Sequence, residues 1–198
     1  MERVYLHADV ADAVLDELVR RAEALVVGDP RDPATTMAAL VDERTLHTGD
    51  AHVQQALRSG ARLLTGGSVL RAGPTAYAPT VLVGCTDDML VMAEETFGPV
   101  AAVAVVGSWE EALERACGGR YGLAATVLTP DTARALAAID DLEVGTVKVN
   151  AVFGGAPGGS ADPRRDSGRG SGHGPDLLRE MVVLKAVHWE PDARPDRS

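Results

Sequence analysis

Residues Glu94–Val100 read EETFGPV and run directly into the apolar Val100–Val106, VAAVAVV. Gly98-Pro99 after an aromatic ends one element and sets the approach to the next, because proline fixes its own φ and restricts the residue before it. The unbroken apolar run that follows predicts a strand covered on both faces, not a half-exposed one with alternating character. Two adjacent carboxylates, Glu94 and Glu95, stand at the mouth of that strand. They suit either a solvated turn or a polar ligand.

Working outward, strands are predicted at Glu2–His7, Ala61–Thr65, Thr80–Val83, Leu123–Leu128, Thr146–Val149 and Val182–Trp189. Helices fall between them. Asp9 is the expected cap of a helix over Val10–Leu25, with Val14, Leu18, Ala22 and Leu25 on one face. A second helix is expected near Asp42–Ser59, a third at Trp109–Cys117 and a fourth at Asp131–Asp141. Ser108 caps the third, with Glu111 three residues on in a capping-box spacing. Pro33–Val41, Gly66–Pro74 and the glycine-rich Gly154–Gly174 read as loops. Strands alternating with helices predict an α/β fold, a parallel twisted sheet with flanking helices. No repeat or linker interrupts it, so residues 1–180 are expected to form one domain. Residues 181–189 form a terminal strand and residues 190–198 a polar, flexible tail.

EETFGPV also resembles a hallmark of the NAD(P)-dependent aldehyde dehydrogenase superfamily. Tyr77–Leu82 (YAPTVL), Tyr121–Thr129 (YGLAATVLT), Gly145–Asn150 (GTVKVN), Ser167–Gly172 (SGRGSG) and the closing strand near Lys185 are similar to that family in the same order. The resemblance runs from about Glu2 to Trp189. It implies a fold close to the catalytic domain of those enzymes. In the family the reactive cysteine lies a few residues before a strand like Arg3–His7 (RVYLH). The general-base glutamate, the oxyanion-hole asparagine and the dinucleotide-binding domain come earlier still. The resemblance therefore implies the back half of such an enzyme, without the family's catalytic residues, so that catalytic positions in this chain are unknown.

The same resemblance gives roles to particular residues. Glu95 and Phe97 match the residues that touch the nicotinamide ribose, here a vestigial half of a cofactor site. No NAD(P) affinity is expected of the chain alone, since pyrophosphate and adenosine binding belong to the nucleotide domain. Asn150 and Phe153, in NAVFGGAPGG, match the loop that lines the aldehyde tunnel. Asn150 follows a predicted strand directly, and ligands gather at the carboxyl ends of parallel strands. Ala156-Pro157 stands where most of the family has Pro-Phe, which leaves the substrate class open. His173 in GRGSGHG is expected at the surface. It is kept as a substrate-binding candidate because an imidazole titrates near neutrality. The glycines around it are not a phosphate loop: no strand precedes them and no GK[ST] follows.

Composition narrows the classes. The 198 residues carry a formal net charge of −10, which opposes nucleic-acid and anionic-membrane binding. No apolar run is long enough to span a bilayer, and the start lacks a signal-peptide pattern. Cys85 and Cys117 make no disulfide framework, which points to the reducing cytoplasm. Neither sits in surroundings that favour a nucleophilic thiolate. His47 and His52, five apart, share no helix face as metal ligands, and no metal site is expected.

Three functional readings follow. The chain is a catalytically incomplete dehydrogenase-like protein that binds a small molecule or another protein through its old substrate cleft. Alternatively it is a repurposed non-redox enzyme of cyclisation, isomerisation or hydrolysis in a bacterial biosynthetic pathway. In the third reading it is one subunit of a split dehydrogenase, completed by a separate nucleotide-binding subunit. In each, Met181–Trp189 (MVVLKAVHW) is an apolar, β-prone edge expected to make the chain at least a homodimer.

Overall fold

The computed structural model describes residues 2–151 and 159–190. The chain divides into two compact units, 1–120 and 121–198.

The first unit is a four-stranded sheet with helices on both faces. β1 (Arg3–His7) leads into α1 (Ala8–Glu23). A short parallel pair, β2 (Val27–Gly28) and β3 (Met37–Ala38), follows where only loop was expected. Then come α2 (Glu43–Arg58), β4 (Arg62–Thr65), β5 (Thr80–Val83), α3 (Leu90–Ala93), β6 (Val100–Val106) and α4 (Trp109–Cys117). The strand order is β1-β6-β5-β4. β1, β6 and β5 are parallel, but β4 pairs antiparallel to β5, so the sheet is mixed, not purely parallel. The cause is local. Residues 66–79 contain no helix, only a bridge between Val69 and Tyr77, and without a crossover the chain returns beside β4 in the opposite direction.

The apolar run of β6 packs as expected. Val103 faces α1 together with Val81, Val83 and Leu15, while Ala102 and Ala104 face α2 and α3 together with Leu82, Val53 and Met92. Period-two alternation along β5 and β6 thus feeds two separate cores. The small alanines on one side let Leu82, Tyr77 and Met89 fill the space against α2; all three are fully buried.

α1 turns inward only part of the face its sequence suggested, Leu18 and Ala22. Ala11, Leu15, Leu18, Val19 and Ala22 pack on the sheet, whereas Val14 and Leu25 are exposed. Its cap is His7, whose Nδ1 accepts from the Asp9 N–H, and Asp9 itself lies in the first turn. Ser108 caps α4 as expected, but the Glu111 carboxylate reaches past it to the Gly107 N–H at 2.8 Å.

The second unit pairs β7 (Tyr121–Gly122) antiparallel with β10 (Arg164–Arg165), and β8 (Ala124–Val127) parallel with β9 (Thr146–Val149) across α5 (Thr132–Asp141). α6 (Pro175–Glu180) follows. β10 lies inside the stretch expected to be loop throughout. That stretch is also tied down elsewhere: Ser167 Oγ accepts from the Gly122 N–H, and buried Ser171 donates its N–H and hydroxyl to the Glu180 carboxylate. Val182–Trp189 is not a strand in the isolated chain. It has no regular structure and is exposed along its length, Leu184 to 99%. A β-prone run forms a strand only where a neighbouring edge supplies its hydrogen bonds.

Candidate functional site

The Glu94–Pro99 turn joins α3 to β6. α3 has only four residues and ends at Glu94, whose backbone is already extended. From there exposure alternates. Glu95 and Phe97 project to solvent, while Thr96 between them is 3% exposed. Phe97 is 66% exposed and has φ 53°, in the left-handed region that costs a side chain with a Cβ about 1–2 kcal/mol. Most of the ring meets solvent, so packing of the ring does not account for the strained backbone.

Thr96 is what holds the turn down. Its N–H donates to Glu2 Oε2 at 3.0 Å, and its Oγ1 lies 3.1 Å from Nδ1 of His52 on α2. His52 is itself buried, next to Gly49 and Val53 on the inward face of α2. Burial pushes its pKa below the ordinary histidine value, against an opposing pull from the Glu94 and Glu2 carboxylates. The imidazole is therefore neutral near pH 7, and the Thr96 hydroxyl serves as donor or acceptor according to the tautomer. Sequence reasoning weighed His52 only as a metal ligand. The missed signal was its place on an apolar stripe with Leu46, Val53 and Ala56, at helical spacing.

Glu94 points the other way, to Arg120 at 3.2 Å. A cleft of about 590 Å³ opens on that side, bordered by Arg3, Asp87, Met92, Glu94, Arg115 and Arg120, among others. Its cations are occupied. Arg115 pairs with Asp87 at 2.7 Å, and Arg3 reaches the α4 carbonyl of Ala116 at 3.2 Å. Both guanidiniums also lie over the Tyr5 ring. Burial works to raise the Asp87 carboxyl, but hydrogen bonds from Arg115 and Tyr5 prevail and hold it below its usual range. The cluster ties β1 to α4, and its balanced charges favour no particular anion.

The other candidates lie in the second unit. Asn150 ends β9 with φ 50° and spends its amide on the backbone. Its Oδ1 accepts from the Thr129 N–H at 2.9 Å, and its Nδ2 donates to the Thr129 carbonyl at 2.9 Å. That pair of hydrogen bonds to one residue staples the loop after β8 to the end of β9. His173 is exposed before α6, and Phe153 lies outside the described residues. The turn bearing Glu95 and Phe97 stands at the amino end of β6, whereas Asn150 stands at the carboxyl end of β9.

Of the two cysteines, Cys85 is buried and its thiol is pushed up by burial, so it is a poor thiolate. Cys117 is half-buried at the last position of α4. Among the described residues no three His, Cys, Asp or Glu side chains gather as a metal site, and no helix is long and apolar enough to cross a membrane.

A mixed sheet of this order with helices on both faces defines an α/β fold. The chain belongs to the aldehyde dehydrogenase family, whose model matches residues 1–187. It is 36% identical over 194 residues to betaine aldehyde dehydrogenase of Sinorhizobium fredii, covering 94% of this chain and 39% of that one. It is 35% identical to succinate-semialdehyde dehydrogenase [NADP(+)] 1 of Mycobacterium ulcerans, covering 94% of this chain and 41% of the relative. Among solved structures it is similar to lactaldehyde dehydrogenase from Escherichia coli, with TM-score 0.89 and 30% identity over 94% of this chain and 39% of that one. Succinate-semialdehyde dehydrogenase from Burkholderia pseudomallei matches with TM-score 0.89 and 32% identity, over 93% and 38%. The chain thus spans about two fifths of the length of these relatives.

Proposed function

We propose that this chain is a catalytic-domain portion of an aldehyde dehydrogenase that works as a binding component. It presents Glu95 and Phe97 to the nicotinamide–ribose end of a cofactor, or to a small molecule in its place, and does not oxidise aldehydes by itself. The observation that carries this reading is Phe97, held outward in left-handed backbone over a buried Thr96. An exposed aromatic on a fixed turn offers a stacking face at little entropic cost. Aldehyde oxidation by this family's chemistry needs an activated thiolate and a hydride acceptor. Buried Cys85 does not supply the first. The names of the relatives, which couple betaine aldehyde or succinate semialdehyde to dehydrogenation and in one case to NADP(+), support aldehydes and nicotinamide nucleotides as the ligand classes of the completed site.

The test has two arms. The chain incubated with a panel of aldehydes and NAD+ or NADP+ should give no gain at the reduced-nicotinamide absorbance band. Nicotinamide mononucleotide added at millimolar concentration should shift amide resonances of residues 94–99. Turnover that persists in a Cys85→Ala, Cys117→Ala double variant, or nucleotide shifts that avoid this turn, would overturn the reading.

A second reading is favoured by one observation. Val183, Leu184 and Trp189 are 94%, 99% and 82% exposed, an apolar stretch that water does not favour. It suits association with another chain, a second copy of this one or a separate nucleotide-binding subunit. Static light scattering should then give at least twice the chain mass, and removal of residues 182–198 should abolish that association.

A further inference from the structure

We propose that His52 is the positioning residue of the Glu94–Pro99 turn: through Thr96 it fixes the backbone that aims Phe97 outward. This rests on the reading that the turn is a binding element, but it concerns how the turn is held and can be tested without any ligand.

The turn has little regular structure of its own. α3 is a single turn of helix, and Glu94 and Glu95 make no backbone ladder that would continue into β6. Phe97 adopts a conformation that an aromatic residue avoids, so something outside the turn must over-determine it. Its own ring does not, being two-thirds exposed to solvent. The neighbouring Thr96 does. It is the buried polar residue of the turn, and both of its polar attachments, to Glu2 and to His52, come from distant parts of the chain.

Of the two, His52 is the firmer anchor. Glu2 precedes β1 and belongs to no helix or strand. His52 sits in the middle of the 16-residue α2, whose start is capped by Asp42 and whose Leu46, Val53 and Ala56 are locked in the core. A rigid helix offering one nitrogen to one hydroxyl gives a fixed reference point, and the turn conforms to it. Gly49, one turn earlier on α2, borders the same spot: a Cβ there would make ordinary contact with the Thr96 methyl at 3.8 Å. His52, Gly49 and Thr96 thus form a seat for the centre of the turn, leaving Glu95 and Phe97 on either side facing solvent.

The experiment is amide hydrogen exchange on the full chain, comparing wild type with His52→Ala, His52→Gln and Thr96→Val. His52→Ala and Thr96→Val should speed exchange at the amide of residue 96, which donates to the Glu2 carboxylate at 3.0 Å, by about tenfold, the factor that corresponds to losing one hydrogen bond of ordinary strength. Amides of β5, β6 and the α2 interior should keep their protection. His52→Gln, whose amide can meet the Thr96 hydroxyl, should restore slow exchange in the turn. If His52→Ala fails to fold, Thr96→Val carries the test, since it removes the hydroxyl with little change of volume. Unchanged turn exchange in a folded variant would overturn the proposal. So would faster exchange spread evenly over α2 and the sheet, which marks a core filler, or failure of glutamine to rescue. Nicotinamide mononucleotide that ignores the turn while these exchange effects hold would sink the binding reading and leave the positioning role standing.

Discussion

Replacing Phe97 with alanine and with glycine separates ring, strain and packing in one experiment. The side chain is 66% exposed, so about a third of its burial energy is at stake. A fully buried Phe contributes about 1.5–3 kcal/mol, which puts the loss in Phe97→Ala at about 0.5–1 kcal/mol. Alanine keeps the Cβ and therefore the left-handed strain at φ 53°. Glycine removes that strain, a gain of about 1–2 kcal/mol. It returns about 0.5–1 kcal/mol to the unfolded chain's entropy. Glycine should therefore be more stable than alanine by about 0.5–1 kcal/mol and close to wild type. For a chain of this length 1 kcal/mol moves Tm by roughly 2–4 °C. Thermal melts followed by circular dichroism should rank wild type and Phe97→Gly together, with Phe97→Ala lower by about 1–4 °C. Both variants should lose the nicotinamide mononucleotide shifts. Alanine matching or exceeding glycine would refute the strained geometry, and a loss above about 3 kcal/mol in both would show that Phe97 belongs to the core.

Three further outcomes are expected. Asn150→Ala should cost about 1–3 kcal/mol, since it deletes two bonds to Thr129 and leaves a Cβ at φ 50°; Asn150→Gly should cost less, and equal losses by urea melts would contradict the staple. Thiol titration of the native chain should leave Cys85 unreacted until denaturant is added, and rapid native labelling at Cys85 would show that its cover opens. His52 has a folded pKa below its unfolded value near 6.5, so the unfolded chain takes the proton first and stability falls with acid. Its contribution is complete above the unfolded pKa and is lost as pH drops through 6.5 toward the folded value, so melts at pH 7.5 and 5.5 should fall further for wild type than for His52→Gln.

Much of the first unit was legible because its signals are local and redundant. β6 announces itself by an unbroken apolar run between Pro99 and Gly107, and α2 by Asp42 before it and Gly60 after it. What failed depended on partners far along the chain. Val14 and Leu25 look as apolar as Leu15 and Leu18, and only the position of the sheet decides which stripe of α1 turns inward. The direction of β4 depends on residues 66–79 returning without a crossover, and a list of strands does not encode that. β10 is two arginines, a composition no strand pattern selects, and it pairs because the Gly122 edge is there to receive it. Met181–Trp189 shows the converse: its strand-forming composition is plain, yet the isolated chain gives it no edge.

The candidate site was half legible for a related reason. Glu95 and Phe97 stand out in sequence because they are odd where they are, charge and ring at the mouth of an apolar strand. Exposure in the structure is the same fact seen from outside. Thr96 and His52 are the residues that make those two useful, and they look ordinary. A threonine before an aromatic and a histidine on a helix become a pair only when α2 packs beside the turn, across 44 residues of chain. Motifs are read by the letters that meet solvent and ligand. The geometry those letters require is set underneath by buried polar contacts, and these carry no local pattern because burial itself is a property of the whole sheet.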